Sequence, residues 1–259
     1  SVERAMVFWL QRQEPLAFAL SARTTDTLPP APNGHILLDD VSFAYQPDRP
    51  ILEHVTFEVQ SGETIAITGA TGAGKSTLLQ VLAGTLAPTN GKVQIDGIAP
   101  VAYGPALLET YMGYLPQQGT IFNGTLLENL AGFSTAETDI TKARNMAQEF
   151  GLQELIEQLP EGELTMLTDD MAAQLPPGIT QRIALARALK SSPTIMLFDD
   201  ADQTLDKEGY NKLFRLMGRY KGQHTIIMAT QDQNFLSLCD RAYRLENGRL
   251  IQDAKRGMA

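Results

Sequence analysis

Residues 69–77 read Gly69-Ala70-Thr71-Gly72-Ala73-Gly74-Lys75-Ser76-Thr77, after an apolar run at 64–68 and before an apolar helical pattern that begins at residue 78. This is the pattern G-x-x-x-x-G-K-[ST] between a strand and a helix. Small residues let consecutive backbone N–H groups surround a polyphosphate, and the helix N-terminus adds the positive end of its dipole. An ordinary glycine-rich turn would not need a lysine and a hydroxyl side chain together. The stretch therefore predicts a phosphate-binding loop.

The loop supplies most of the candidate ligand-binding residues. Lys75 is expected to reach the β- and γ-phosphates of a nucleotide, and the Ser76 hydroxyl to ligate Mg²⁺. The other candidates in the loop are Gly69, Thr71, Gly72, Ala73, Gly74 and Thr77. An acid that ends a neighbouring parallel strand would lie at the same sheet edge, and Asp199, which ends the apolar run 195–198, fits that position. We expect Asp199 to hold Mg²⁺ through water.

Bulk properties narrow the class of protein. The chain has 259 residues, 43% of them hydrophobic, which suits one large domain or two small ones. A net charge of -9 argues against a general nucleic-acid or anionic-membrane surface. Cys239 is the single cysteine, so no internal disulfide forms and a reducing compartment is expected. No apolar run approaches the roughly 18 residues of a membrane helix. Because the sequence starts at Ser1 rather than Met, we expect it to be a piece of a longer protein.

Apolar strands alternate with helical patterns along the chain. Residues 1–22 read as an amphipathic helix, and 23–34, rich in Thr and Pro, as an extended linker. A β-rich region follows, then a helical region from about 125 to 190, and Asn247-Gly248 marks a closing hairpin. This alternation predicts a mostly parallel sheet that is covered by helices on both faces.

Short motifs across nearly the whole chain resemble those of the ATP-binding cassette (ABC) family. Residues 41–45 resemble the aromatic loop, which implies that Tyr45 stacks on adenine. Leu115-Pro116-Gln117 resembles the Q-loop, which implies that Gln117 senses the γ-phosphate, contacts Mg²⁺ and touches a transmembrane domain. Residues 181–189 resemble the helix after the family signature, and 204–206 the D-loop.

The resemblance implies an α/β fold: a P-loop NTPase core with an antiparallel β subdomain and a helical subdomain at about 118–190. It also implies ATP and Mg²⁺ as cofactors. Residues 122–129 resemble the exporter-type phrase after the Q-loop, and 3–10 the tail of the last membrane helix of such exporters. We therefore expect the end of a membrane-domain helix and a linker at 1–34, and a nucleotide-binding domain at 35–259. Residues 113–117 favour the type I protein or peptide secretion branch.

Several positions depart from the family pattern. Asp200 stands where the family has its general base, a Glu, which withdraws the carboxylate by roughly 1.5 Å. A misplacement of about 1 Å can cost roughly 10²-fold in rate. Gln231 stands at the switch-loop His and cannot carry its positive charge. Residues 175–179 read Leu-Pro-Pro-Gly-Ile where the family signature is Leu-Ser-Gly-Gly-Gln. Of the Ser-Gly-Gly positions that bind the γ-phosphate in the family, only Gly178 keeps a backbone N–H.

These departures predict a domain that binds Mg-ATP and hydrolyses it weakly. The candidate catalytic residues are Asp200, Gln231 and Gln117. An acidic loop that contacts the membrane domain is expected near Asp169 and Asp170, with an uncertain register because 165–175 is one residue longer than usual.

Three functions stay open at this point: the energy-coupling domain of an exporter, a regulatory and essentially non-hydrolysing subunit of a heterodimeric transporter, and a soluble cassette ATPase acting on nucleic acid or the ribosome. The negative charge and the absence of basic runs count against the third. The first two imply as partners a transmembrane domain, of the same or another chain, and a second nucleotide-binding domain, at the cytoplasmic face of the membrane and without nucleic acid.

Overall fold

A computed structural model describes residues 29–253 of the chain. The predicted amphipathic helix at 1–22 and the first half of the linker, 23–28, lie outside the described residues, as do residues 254–259. In chain order the elements are β1 (Ile36–Gln46), β2 (Arg49–Val59), β3 (Thr64–Thr68), α1 (Lys75–Leu82), β4 (Asn90–Ile95), α2 (Pro100–Tyr111), β5 (Met112–Leu115), β6 (Gly124–Thr125), α3 (Leu126–Ala131), α4 (Glu137–Glu149), α5 (Gln153–Gln158), β7 (Met166–Leu167), α6 (Asp169–Gln174), α7 (Pro177–Leu189), β8 (Ile195–Asp199), α8 (Lys207–Tyr220), β9 (Thr225–Ala229), α9 (Gln233–Leu238), β10 (Arg241–Glu246) and β11 (Arg249–Gln252).

The large sheet has the strand order β11-β10-β3-β9-β8-β5. Its strands run parallel except for the antiparallel hairpin between β10 and β11. The parallel strands β3, β8 and β9 are almost entirely buried and apolar, as sheets covered on both faces require. Their carboxyl ends meet at one edge, where the loop 69–77 begins.

Helices and a second sheet cover the two faces of this sheet. Along β8, Ile195 and Leu197 pack into one apolar cluster with α1 and the antiparallel sheet β2-β1-β4, whereas Met196 and Phe198 pack into another with α3, α7 and α8. The period of two along a strand divides the apolar side chains between these cores. The expected α/β fold, with a mostly parallel sheet and a separate antiparallel sheet, is confirmed.

Some elements differ from the sequence prediction. Helix α2 was not predicted, because Gly104, at φ 72, and Pro105 interrupt its periodicity and kink it. The region predicted as helical, about 125–190, contains α3 to α7 but also the short antiparallel pair of β6 and β7. Between residues 29 and 253, no helix combines the length and the apolarity needed to cross a membrane.

Candidate functional site

The phosphate-binding loop joins β3 to α1 with a backbone that requires glycine at two positions. Gly69 has φ 145, and a Cβ there would lie 2.6 Å from the carbonyl oxygen of Leu245. Gly74 has φ 102, and a Cβ there would lie 2.8 Å from Cγ2 of Ile51. Left-handed backbone and close neighbours therefore both exclude a side chain. At Gly72 a Cβ would meet no atom within 4 Å, so this part of the loop faces open space.

Lys75 is folded into the loop. Its side chain is nearly buried, and Nζ donates to the carbonyl oxygens of Gly69 at 3.1 Å and Ala70 at 3.4 Å. The same Nζ lies 3.5 Å from Oδ2 of Asp200. The ammonium is thus held within reach of any anion that the loop's N–H groups bind.

Asp199 ends β8 next to the first turn of α1. It is 4% exposed, and its carboxylate accepts the Ser76 hydroxyl on Oδ1 at 2.8 Å and the Tyr114 hydroxyl on Oδ2 at 3.1 Å. Burial raises the pKa of Asp199 and the charge of Asp200 adds to the rise, whereas the two hydroxyl donors and Lys75 oppose it. A hydroxyl and a carboxylate in contact are the oxygen donors that Mg²⁺ takes beside nucleotide phosphates. These side chains fit that ion.

Asp200 and Gln231 reach the same loop from β8 and from the end of β9. Asp200 has φ 45, its N–H donates to Ala229 O at 3.0 Å, and its buried Oδ1 has no hydrogen-bond partner among the described residues. Nε2 of Gln231 donates to Gly69 O at 3.1 Å. Gln231 thus shares the Gly69 carbonyl oxygen with Lys75, and Asp200 contacts Lys75 itself.

Tyr45 lies at the side of the loop, on β1. The residue is 62% exposed, and its hydroxyl is 3.5 Å from Oγ1 of Thr77. The ring of Phe43 packs edge-on against the ring of Tyr45, at 4.9 Å between centroids. A supported aromatic ring with a free face suits the stacking of a planar base.

The remaining predicted residues contact the D-loop rather than the phosphate-binding loop. Gln117 is exposed, and its carbonyl oxygen accepts the Thr204 hydroxyl at 3.2 Å. Gly178 is buried in the first turn of α7, and the atoms nearest to a Cβ at this position belong to Asp206. The single chain therefore brings Lys75, Ser76, Asp199, Asp200 and Gln231 together but leaves Gln117 and Gly178 outside this contact network.

Sequence reasoning missed polar residues that support the site. Gln181 is completely buried, and its Nε2 donates to Pro116 O and Ala201 O, which fixes the backbone of the Q-loop. Oγ1 of Thr230 donates to Asp202 Oδ2 at 3.2 Å. A polar residue close to the carboxyl end of a parallel strand was the available signal for Tyr114 and Thr230.

Comparisons with known proteins agree with this geometry. A family profile described as ABC transporter matches residues 52–203. HlyB of Escherichia coli O6:H1, an alpha-hemolysin translocation ATP-binding protein, is 31% identical over 227 residues, which are 87% of this chain and 32% of HlyB. YfiB of Bacillus subtilis (strain 168), an uncharacterized ABC transporter ATP-binding protein, is 39% identical over 224 residues, 85% of this chain and 38% of YfiB.

A solved structure is also similar. The structure of a bacterial Atm1-family ABC exporter with ATP bound superposes with a TM-score of 0.75 at 29% identity, and the match covers 90% of this chain and 42% of that chain. The chain thus spans between 32% and 42% of the length of these relatives.

Proposed function

The chain belongs to the ABC transporter family, and we propose that it is the energy-coupling domain of an exporter, one that binds Mg-ATP and hydrolyses it weakly. The observation that carries the proposal is a contrast within one site. The binding residues of the family pattern are present: Lys75 is held in the phosphate-binding loop, and the Ser76 hydroxyl donates to Asp199. At the positions of the general base and the switch-loop His, in contrast, this chain has Asp200 and Gln231.

Binding is supported by the composition of the site. Lys75 would hold the β- and γ-phosphates as a point charge, and Tyr45 offers a ring for the base. Ser76, Asp199 and Gln117 would surround Mg²⁺, and the bound ion would neutralise charge on the phosphates. The glycines of the loop bring N–H groups close to the phosphate oxygens.

Weak hydrolysis is supported by what the altered residues can do. A general base has to reach the proton of the attacking water, and the short side chain of Asp200 is engaged with Lys75 at 3.5 Å. Gln231 can donate a hydrogen bond to a γ-phosphate oxygen but carries no charge that would stabilise the transition state. In a dimer, Pro176 and Pro177 offer the opposite site neither a hydroxyl nor an N–H.

The relatives support a proposal for the partners and the location of this domain. HlyB is named for alpha-hemolysin translocation and the solved neighbour is an exporter with ATP bound. We propose that this domain works with a transmembrane domain and with a second nucleotide-binding domain at the cytoplasmic face of a membrane.

The test is calorimetric titration of the purified domain with ATP and Mg²⁺, followed by steady-state turnover beside an Asp200→Glu, Gln231→His double variant. We expect the starting protein to bind ATP and to turn over slowly, with a faster double variant. Robust turnover of the starting protein would reject the impaired-site part of the proposal. Lack of ATP binding in the presence of Mg²⁺ would reject the whole of it.

A second candidate is a regulatory subunit that hardly turns over and closes a heterodimer around ATP. The altered signature and the altered base occur together in this chain, which favours it over a self-sufficient ATPase. Turnover that appears only when the domain is mixed with a partner carrying an intact signature would support this alternative.

A further inference from the structure

Tyr114 makes a contact that the proposed chemistry does not use. It lies near the end of β5, which pairs in parallel with β8, and its register partner is Leu197, two residues before Asp199. From there the phenol reaches forward along β8 and donates to Oδ2 of Asp199 at 3.1 Å. The ring is partly buried against the apolar cluster that also contains Leu197, so packing fixes the direction of the hydroxyl.

We propose that Tyr114 is a positioning residue that holds the Asp199 carboxylate in the orientation needed for Mg²⁺. The inference rests on the proposed function, because it assumes that Asp199 serves the metal.

Two hydroxyl donors hold the nearly buried Asp199, one on each oxygen: Ser76 on Oδ1 and Tyr114 on Oδ2. Their roles differ. The Ser76 hydroxyl is itself expected to ligate Mg²⁺, so its geometry is set partly by the ion. The phenol of Tyr114 is not one of the proposed Mg²⁺ ligands, so it would continue to orient the carboxylate if the Ser76 hydroxyl turned to the metal. Partners of this kind around a metal site are typically worth 10–100-fold in metal affinity.

Tyr114 also connects Asp199, the proposed metal ligand, with the Q-loop. Pro116 and Gln117 follow it by two and three residues, and Gln117 is proposed to contact the same ion. A displacement of β5 would therefore move the Asp199 carboxylate and the Q-loop together.

The test compares two conservative variants of the full chain, Tyr114→Phe and Tyr103→Phe. Tyr103 is the matched control, since it is buried and its hydroxyl donates at 3.1 Å to the backbone oxygen of Ile95. The measured quantity is the ratio of the ATP affinity with saturating Mg²⁺ to the ATP affinity in EDTA. We expect Tyr114→Phe to lower this ratio about 10-fold while leaving the affinity in EDTA unchanged.

The outcomes distinguish a failure of the role of Tyr114 from a failure of the proposed function. If the starting protein binds ATP and Tyr114→Phe leaves the ratio unchanged, the role of Tyr114 is overturned while the proposed function stands. A loss of affinity in EDTA that matches the loss in Mg²⁺ would indicate a merely structural role and would also overturn it. If the starting protein binds no ATP, the proposed function fails and the role of Tyr114 with it.

A double-mutant cycle gives an independent check. In an Asp199→Asn background the carboxylate is gone, so Tyr114→Phe should lower the Mg²⁺-dependent ratio no further. An additional loss in that background would contradict the assignment. If Tyr114→Phe does not fold, 3-fluorotyrosine introduced at position 114 alone provides a second measurement: its ¹⁹F resonance should shift when Mg²⁺ is added to the ATP-bound protein, and an unmoved resonance would overturn the proposal.

Discussion

Lys75 and Asp200 form a nearly buried ion pair with Nζ and Oδ2 3.5 Å apart. The carboxylate competes with an incoming phosphate for the ammonium and repels the phosphate charge, and both effects are strong where water is scarce. We expect Asp200→Asn to raise the affinity for Mg-ATP about tenfold, or ~1.4 kcal/mol, in a calorimetric titration. The control is Glu163→Gln, which neutralises an acid paired with Arg144 outside the site and should leave the affinity unchanged. An unchanged affinity of Asp200→Asn would show that the pair does not oppose binding.

Gly74 and Gly72 allow backbone strain to be separated from crowding. Both have positive φ, 102 and 80, but only a Cβ at Gly74 meets a neighbour, Ile51, at 2.8 Å. The left-handed backbone costs an alanine about 1–2 kcal/mol at either position. We expect Gly74→Ala to lower the unfolding free energy in urea by a further ~1 kcal/mol or more relative to Gly72→Ala, as overpacking does. Equal losses in the two variants would show that Ile51 moves away without cost.

At the scale of elements, Arg182 of the signature helix α7 forms ion pairs with residues at the start of α8. Its side chain is 5% exposed, and it donates from Nε to Asp206 Oδ1 at 2.9 Å and from Nη1 to Glu208 Oε2 at 2.8 Å. Asp206 in turn caps α8 by accepting the N–H of Gly209. We expect Arg182→Met to lower the unfolding free energy by ~2 kcal/mol, because hydrogen bonds to charged groups are lost.

The matched control for this helix contact is Arg144→Met. Arg144 forms an ion pair with Glu163 and its side chain is half exposed. Pairs of this kind are worth at most about 1 kcal/mol. A loss in Arg182→Met no greater than in the control would contradict the role assigned to Arg182.

The same contact gives the stability of the protein a pH dependence. Burial raises the pKa of Asp206, but the hydrogen bonds from Arg182 and from the N–H of Gly209 outweigh it and leave the pKa below its ordinary value. A carboxyl whose folded pKa is depressed stabilises the fold above its unfolded pKa of about 3.9, and that stability is lost as the pH falls through the folded pKa. We therefore expect the urea concentration at the midpoint of unfolding to decrease as the pH is lowered below about 4 in the natural protein. The urea midpoint of Arg182→Met should depend less on pH in this acid range. If the midpoints of the two proteins change equally with pH, the contact between Arg182 and Asp206 is not the cause of the acid dependence.

Much of the fold follows from local sequence, whereas the support of the site does not. The strands β3, β8 and β9 could be predicted because each is a short apolar run, and the loop at 69–77 because it has a recognisable motif. That the strand ends share one edge of the sheet follows from their parallel direction. The contact from Tyr114 to Asp199 joins residues 85 positions apart. It depends on β5 lying beside β8, an order that no local pattern specifies. For Asp200 the residue type was visible, but its ion pair with Lys75 required the tertiary structure.

At the scale of the whole molecule, an ABC site is expected to combine the phosphate-binding loop of one domain with the signature of another. In a homodimer each composite site would contain Asp200, Gln231 and the two prolines. With a partner of ordinary sequence, one site would contain Asp200 and Gln231, and the other would contain Pro176 and Pro177. The two arrangements differ in which defect limits closure of the dimer around ATP.

Restoring the signature should therefore change assembly rather than nucleotide capture. Pro176 is the N-cap of α7 and Pro177 its first residue. In an Asp200→Asn background, which slows hydrolysis, we expect Pro176→Ser with Pro177→Gly to strengthen dimerisation with Mg-ATP at least tenfold, or ~1.4 kcal/mol, in analytical ultracentrifugation. The new hydroxyl and N–H would bind the γ-phosphate in the opposite subunit, and Ser at the N-cap also stabilises the helix. Pro176→Ala with Pro177→Ala restores the N–H groups without the hydroxyl and should strengthen dimerisation less. If the alanine pair dimerises as strongly as the Ser-Gly pair, the missing hydroxyl is not what limits closure of the dimer. If neither pair changes the dissociation constant of the dimer, the altered signature does not impair assembly.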